Sequence, residues 1–139
     1  MVMVQKKEGS WHMCPNYREL KEITIKDKFH ILMIDELLYE LQGANLFTNL
    51  DLHFGYHQIR MRKENILKTT FRTHEGDYDF LVMLFDLINS PSKFQSLMNS
   101  IFKPFLGKFV LTFFDDMLLY NKSYEEHLWH IHRVLNLLE

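Results

Sequence analysis

The chain has 139 residues, 47% of them apolar, and a formal charge of −2. That length suits one domain with a buried core, and the near-neutral balance excludes a global positive field that would draw it to nucleic acid. A single cysteine, Cys14, excludes an internal disulfide and fits a reducing compartment.

No apolar run approaches the ~20 residues of a membrane span, and the N-terminus carries no signal-peptide pattern. An intracellular location, cytoplasm or nucleus, is therefore expected. No repeat, low-complexity tract or linker interrupts residues 1–139, so a single domain is expected. Basic residues are local: Lys6 and Lys7, then Arg18 to Lys28, then Arg60 to Arg72.

In chain order, Val2 to Gln5 and Trp11 to Tyr17 flank K-K-E-G-S, the pattern of a hairpin with Gly9 in the turn. Trp11 is expected to anchor that hairpin by packing. Ile34, Leu37, Leu38 and Leu41 recur at helical spacing, with Asp35 and Glu36 at the favourable end and Gly43 beyond the last turn. Phe47 to Leu52 reads as a strand that carries Asp51. His57 to Arg62 alternates polar and apolar, and Thr69 to Thr73 and Tyr78 to Leu84 flank H-E-G-D as another hairpin.

Ser90-Pro91 opens the clearest helix, because serine caps and proline suits the first helical position. Phe94, Leu97, Met98, Ile101, Phe102 and Phe105 form its apolar stripe, closed by Pro104 and Gly107. Two apolar runs then flank Asp115 and Asp116 in F-V-L-T-F-F-D-D-M-L-L-Y-N, a strand, an acidic turn and a second strand. Ser123 and Glu126 make a capping box, and Leu128, Ile131, Leu135 and Leu138 carry a last helix. A further strand would complete a split β-α-β sheet.

If the Asp51 strand and the Asp115–Asp116 hairpin are neighbours, three carboxylates meet at one sheet edge. Two ionised carboxylates 4 Å apart repel by roughly 4 kcal/mol at an effective dielectric of about 20, so a proton or cation must compensate. Hard oxygen ligands at that charge density suit Mg²⁺ or Mn²⁺. An isolated Asp-Asp pair is more often a solvated turn.

Five blocks decide between these readings: W-H-M-C-P-N-Y-R-E-L (11–20), L-D-L-H-F-G-Y-H-Q-I-R (50–60), F-R-T-H-E-G (71–76), S-P-S-K-F-Q-S-L-M-N (90–99) and F-F-D-D-M-L-L-Y (113–120). In order and spacing the chain resembles the reverse transcriptase of gypsy-type LTR retrotransposons, especially plant elements, over nearly its whole length. The resemblance implies an α+β fold: a right-hand polymerase palm, a ferredoxin-like split β-α-β with its last strand missing, and partial fingers. It assigns 1–46 and about 57–84 to the fingers, and 47–56 and 85–139 to the palm.

The implied activity is RNA-directed DNA polymerisation by two-metal transfer of a nucleotide to a primer 3′-hydroxyl. By resemblance, Asp51 and Asp115 are the main metal ligands, the Leu52 carbonyl assists, and Asp116 stands one step back. Tyr56 matches the aromatic that excludes a 2′-hydroxyl. Phe85, Asp86, Arg18 and His12 fall at nucleotide-facing positions, and Lys6, Lys7, Phe94 and Gln95 at template- or primer-facing ones. The implied partners are an RNA or DNA template with primer, deoxynucleoside triphosphates, and the thumb and RNase H regions of a Pol polyprotein, with no membrane.

The chain departs from the family pattern at His12 and Asn16, His53 and Phe54, and Leu84, Asp86 and Ile88. Each departure is one C-to-T or G-to-A transition away, the signature of a decayed, once-methylated copy, and activity alone is expected to be weak or absent. Asp86 replaces a glycine that lets backbone approach the nucleotide, and adds a negative charge there. His12 replaces an arginine that grips anions with two donors. The alternative is a non-catalytic nucleic-acid-binding remnant, which exposed aromatics on the sheet face would favour. His127, His130 and His132 have spacings that suit zinc, but no acid or cysteine completes a set.

Overall fold

The computed structural model describes residues 2–5, 7, 9, 11–28 and 34–138. Lys6 and the side chain of His12, both expected at the site, lie outside the described residues. The chain divides into two compact units, residues 1–26 with 56–90 and residues 27–55 with 91–139.

The first unit opens with β1 (Val2–Gln5) paired antiparallel to β2 (Trp11–Cys14), with Gly9 at φ +86° in the turn. Trp11 is 62% exposed and does not anchor the hairpin, because strand alternation points it to solvent. The basic stretch after it forms a short helix, α1 (Arg18–Ile23), which has no buried residue and therefore no apolar period to reveal it.

His53–Gln58 is a 3₁₀ turn rather than part of a strand, and the alternating segment after it contributes only a bridge from Arg60 to Val82. Only the short 81–83 segment runs alongside, through Met61 N–H to the Leu81 carbonyl at 2.9 Å and Met83 N–H to the Ile59 carbonyl at 2.7 Å. Helix α3 (Lys63–Ile66) precedes a hairpin of β4 (Phe71–Thr73) and β5 (Gly76–Tyr78), shorter than expected. Arg72 and Asp77 close that hairpin with paired bonds of 2.7 and 3.0 Å, and the guanidinium's hydrogen bond holds the Asp77 carboxyl below its usual range.

Tyr17 and Thr69 form a polar link at the centre of this unit. The Tyr17 hydroxyl donates to the Thr69 carbonyl at 2.8 Å, and the Thr69 hydroxyl donates to Ile66 and accepts from the Phe80 N–H. Burial, then the charges of Asp86 and Asp79, push the Tyr17 hydroxyl up to about 12, so it remains a donor.

The second unit contains α2 (Ile34–Glu40) and a three-stranded antiparallel sheet in the order β3 (Leu46–Asp51), β7 (Asp116–Asn121), β6 (Val110–Phe113). Helices α4 (Ser90–Ile101) and α5 (Tyr124–Leu138) reach one face of the sheet, α4 through Gln95 to Thr112 and α5 through His127 to Thr48. Alternation along β3 and β7 puts Asp51 and Asp116 on the other face. The core between helices and sheet includes Phe94, Met98, Phe102, Val110, Met117, Leu119 and Val134.

The stripe of α4 is narrower than its sequence suggests: Leu97 and Ile101 are 39% and 38% exposed, while Gln95 is buried. Helix α5 turns its signal around. Leu128 and Leu135 are 49% and 45% exposed, and the buried residues are His127 and Val134.

A buried polar network explains that rotation. The His127 Nδ1–H donates to Asn121 Oδ1 and its Nε2 is hydrogen-bonded to the Thr48 hydroxyl, each at 2.8 Å. Asn121 Nδ2 donates to His130 Nδ1 at 2.7 Å, and His130 stacks on Phe109 at 3.6 Å between centroids. With its Nδ1 accepting from an amide donor, the His130 imidazole is neutral in this pattern.

Burial lowers the His130 pKa, with Arg133 and His127 adding to the effect and Glu126 opposing it. A depressed folded-state pKa means that the unfolded chain takes up the proton first. Stability from this group is complete above about pH 6.5 and is lost as pH falls toward the folded pKa. The melting temperature is therefore expected to drop from pH 7.5 to pH 5, and to drop less in His130→Phe, which keeps a stacking ring. Equal slopes in the two proteins would show that His130 does not drive the acid loss.

Candidate active site

The acidic hairpin is built by its strands. Phe113 pairs with Asp116 across a two-residue turn, Phe114–Asp115, with Phe114 at φ +53°. Two-residue hairpins favour positive φ at the first turn position because it matches strand twist, but a bulky aromatic enters that region only under strain. The strain is supported from α4: the Gln95 side-chain carbonyl accepts the Phe114 N–H. The Gln95 amide donates to the Thr112 hydroxyl at 2.8 Å, the Thr112 carbonyl at 3.0 Å and Asn99 at 2.9 Å.

Strand β3 meets this hairpin in register. Asp51 lies opposite Asp116, and the Leu52 N–H donates to the Asp115 carbonyl at 2.7 Å. All three acids thus come to one end of the sheet from two segments 64 residues apart, as the separation of Asp51 from Asp115 gives. Asp116 is drawn toward β3, where Asn49 Nδ2 donates to its Oδ1 at 3.1 Å. The Leu52 carbonyl accepts the Gly55 N–H at 2.7 Å, which leaves its second lone pair.

Among the described residues, no three His, Cys, Asp or Glu side chains form a group that could hold a metal ion. The register brings the backbones of Asp51, Leu52 and Asp115 to this end of the sheet, an open set of hard oxygens made of two carboxylates and the Leu52 carbonyl. That set fits Mg²⁺ or Mn²⁺, which take one or two carboxylates and fill the remaining positions with water and phosphate oxygens.

Gly55 is needed for a close approach, since a Cβ there would stand 2.9 Å from the Phe94 ring. Phe94 and Gln95, expected to face a template, are 1% and 6% exposed. They are core residues beneath the acidic turn, and burial keeps both from touching a nucleic-acid strand directly.

The nucleotide-facing expectations fall in the other unit. Tyr56 is 1% exposed, with Phe85 edge-on at 5.2 Å and 51% exposed, so the open ring of the pair is Phe85. Asp86 forms a 2.6 Å ion pair with Lys21 on α1. The charge expected to repel a triphosphate thus has a cation beside it, which softens that repulsion. Both partners are substantially exposed, so the pair adds little stability. Arg18 and Lys7 are exposed. Sequence reasoning missed Lys21, because nothing local marks a partner 65 residues away.

A sequence profile described as reverse transcriptase (RNA-dependent DNA polymerase) matches residues 4–139. The chain is 45% identical over 113 residues to the retrovirus-related Pol polyprotein from transposon 297 of Drosophila melanogaster, covering 81% of this chain and 11% of that one. It is 40% identical over 127 residues to an RNA-directed DNA polymerase homolog of Oenothera berteroana, covering 89% of each. The fold superposes with a TM-score of 0.80 on a foamy viral protease-reverse transcriptase in complex with an RNA/DNA hybrid, at 19% identity, covering 98% of this chain and 18% of that one. Among the described residues, no helix is long and apolar enough to cross a membrane.

Proposed function

The chain belongs to the reverse transcriptase (RNA-dependent DNA polymerase) family, and from that premise we propose that its acidic sheet edge serves nucleotidyl transfer to a primer 3′-hydroxyl on an RNA or DNA template. The observation that carries the proposal is the register of β3 on β7, with Asp51 opposite Asp116 and Leu52 bonded to Asp115. Asp51, Asp115 and the Leu52 carbonyl would hold Mg²⁺ or Mn²⁺. Such ions, when bound, acidify the primer hydroxyl and offset charge on the triphosphate and leaving pyrophosphate.

The chain's own residues then orient and exclude. Asn49 keeps Asp116 beside the other two acids, and Gln95 holds the turn that presents Asp115. We assign the unit of residues 27–55 and 91–139 to the palm and the other unit to the fingers. Relative to the division expected from sequence, this moves 27–46 into the palm and Tyr56 and 85–90 into the fingers. On the fingers, Tyr56, Phe85 and Arg18 are assigned to the nucleotide, together with His12 and the Lys21-paired Asp86. Lys6 and Lys7 are assigned to the template. Deoxynucleoside triphosphates and the thumb and RNase H regions of a Pol polyprotein are partners on this reading, and the gypsy-type, plant-like affinity belongs to it as well.

Primer extension on an RNA template with Mg²⁺ or Mn²⁺ tests it. The chain joined to the thumb of a relative is expected to extend the primer weakly, and Asp51→Asn to abolish extension. Extension that survives Asp51→Asn would sink the assignment.

One observation favours a second reading, binding of nucleic acid without catalysis. Phe47 and Phe113, 51% and 45% exposed, lie on the sheet face that carries Asp51 and Asp116, as base-stacking rings do. RNA binding in EDTA that is lost in Phe47→Ala and Phe113→Ala, with no extension under any metal, would select this reading.

A further inference from the structure

The palm unit also contains a cavity away from the carboxylates. Its volume is about 740 Å³, and its walls come from the end of α2, the 104–109 turn, the end of β7 and α5. Tyr120 in its wall lies four residues along β7 from Asp116, about 13 Å at the usual strand rise.

Two atoms in this lining have no hydrogen-bond partner although they are buried, Glu40 Oε2 and the Tyr120 hydroxyl. Tyr120 is 6% exposed. An unmet buried donor or acceptor is costly, and a ligand that supplies the partner removes the cost. Glu40 acts on its neighbour: burial raises the Tyr120 hydroxyl's pKa, and Glu40 raises it further. Burial likewise raises the pKa of the Glu40 carboxyl, with Glu36 adding to it.

The mouth has the opposite character. Lys108, Lys122 and Arg133 line it and are exposed, against one exposed acid, Glu126. Trp129, 57% exposed, offers a ring at the mouth, and the Arg133 guanidinium sits 5.1 Å from its centroid. Three cations at the entrance disfavour a cationic ligand, and Glu40 inside disfavours an anionic group at depth. The fitting molecule is a planar ring with neutral N–H donors on one edge and an anionic group at the other end.

We propose that this cavity binds a guanine mononucleotide. Guanine carries a ring N–H and an exocyclic amine side by side, the donor pair that a carboxylate accepts with both oxygens. Glu40 takes that edge, Tyr120 pairs with a further polar atom of the base, and the phosphate rests among Lys108, Lys122 and Arg133. The volume is within the usual range for small-molecule sites.

Calorimetric titration of the purified chain in EDTA, where the metal-dependent site is silent, tests the assignment with GMP, AMP and inorganic phosphate as probes. GMP is expected to bind saturably and at least tenfold more tightly than either of the others. Glu40→Gln should weaken GMP about tenfold, while Asp51→Asn should leave its affinity unchanged. Tyr120→Phe serves as the folding control, since loss of an unpaired buried hydroxyl should maintain or raise the melting temperature while weakening GMP several-fold. Absence of saturable GMP binding, equal affinity for AMP or phosphate, an unaffected Glu40→Gln, or a loss in Asp51→Asn would each overturn the proposal.

Discussion

Manganese at a hundredfold excess over its dissociation constant is expected to raise the melting temperature of the chain by about 10 °C, and Asp51→Asn or Asp115→Asn to abolish that rise. A ligand that binds only the native state adds RT ln(1 + [L]/Kd), about 2.7 kcal/mol at that excess. For a domain of this size each kcal/mol moves the midpoint by roughly 3–5 °C. In the register of β3 and β7, Asp51 lies opposite the Asn49-bound Asp116, and Leu52 is bonded to the Asp115 carbonyl. Asparagine keeps the shape and removes the charge, so either change takes away a ligand without emptying space.

Asp116→Asn should reduce the rise less, because Asn49 already occupies one of its oxygens. His132→Ala should leave it intact, since that imidazole is exposed on α5 and bonded to Asn136 at 3.0 Å. A rise that persists in both Asp51→Asn and Asp115→Asn would move metal binding to another site.

Gln95→Leu is expected to cost about 3 kcal/mol of stability and to weaken the manganese response in parallel. The leucine is close in size and keeps the helix, so the change isolates the loss of hydrogen bonds. It orphans the Phe114 N–H and removes a donor from the Thr112 carbonyl and hydroxyl and from Asn99, of which the Thr112 hydroxyl and Asn99 keep their own 2.6 Å bond. Each buried group left unmet costs about 1–3 kcal/mol. Phe114 also occupies a backbone region that costs of order 1–3 kcal/mol for a non-glycine residue and persists only when its surroundings over-determine it. Phe114→Gly in the Gln95→Leu background should therefore recover part of the loss, since glycine reaches positive φ without a Cβ clash. Urea unfolding of the single and double variants measures both effects. An unchanged midpoint in Gln95→Leu would mean that the turn is held by its strands alone.

The histidines show where local pattern stops being informative. On α5 the leucines repeat at helical spacing and announce the helix correctly, but they do not choose its buried face. Leu128 and Leu135 point outward because His127 satisfies Thr48 and Asn121, and only that face can satisfy them. A buried polar group without a partner costs more than a half-exposed leucine forfeits. On α4 the same competition buries Gln95 and exposes Leu97.

What the amino-acid order determined by itself is everything that depends on neighbours a few residues apart. The alternation of Leu46–Asp51, the paired runs around Asp115, the Ser90–Pro91 helix start and the Ser123 cap are of this kind, and so are the motif blocks that mark the family. Pairings across the chain were decided only by the tertiary structure: Asp51 with Asp116, Lys21 with Asp86, Gln95 with Phe114, His127 with Thr48. Backbone propensity and hydrophobic period act over one or two turns of chain. Hydrogen bonds and charges, by contrast, select among folded arrangements by the desolvation cost of whatever each arrangement leaves unpaired.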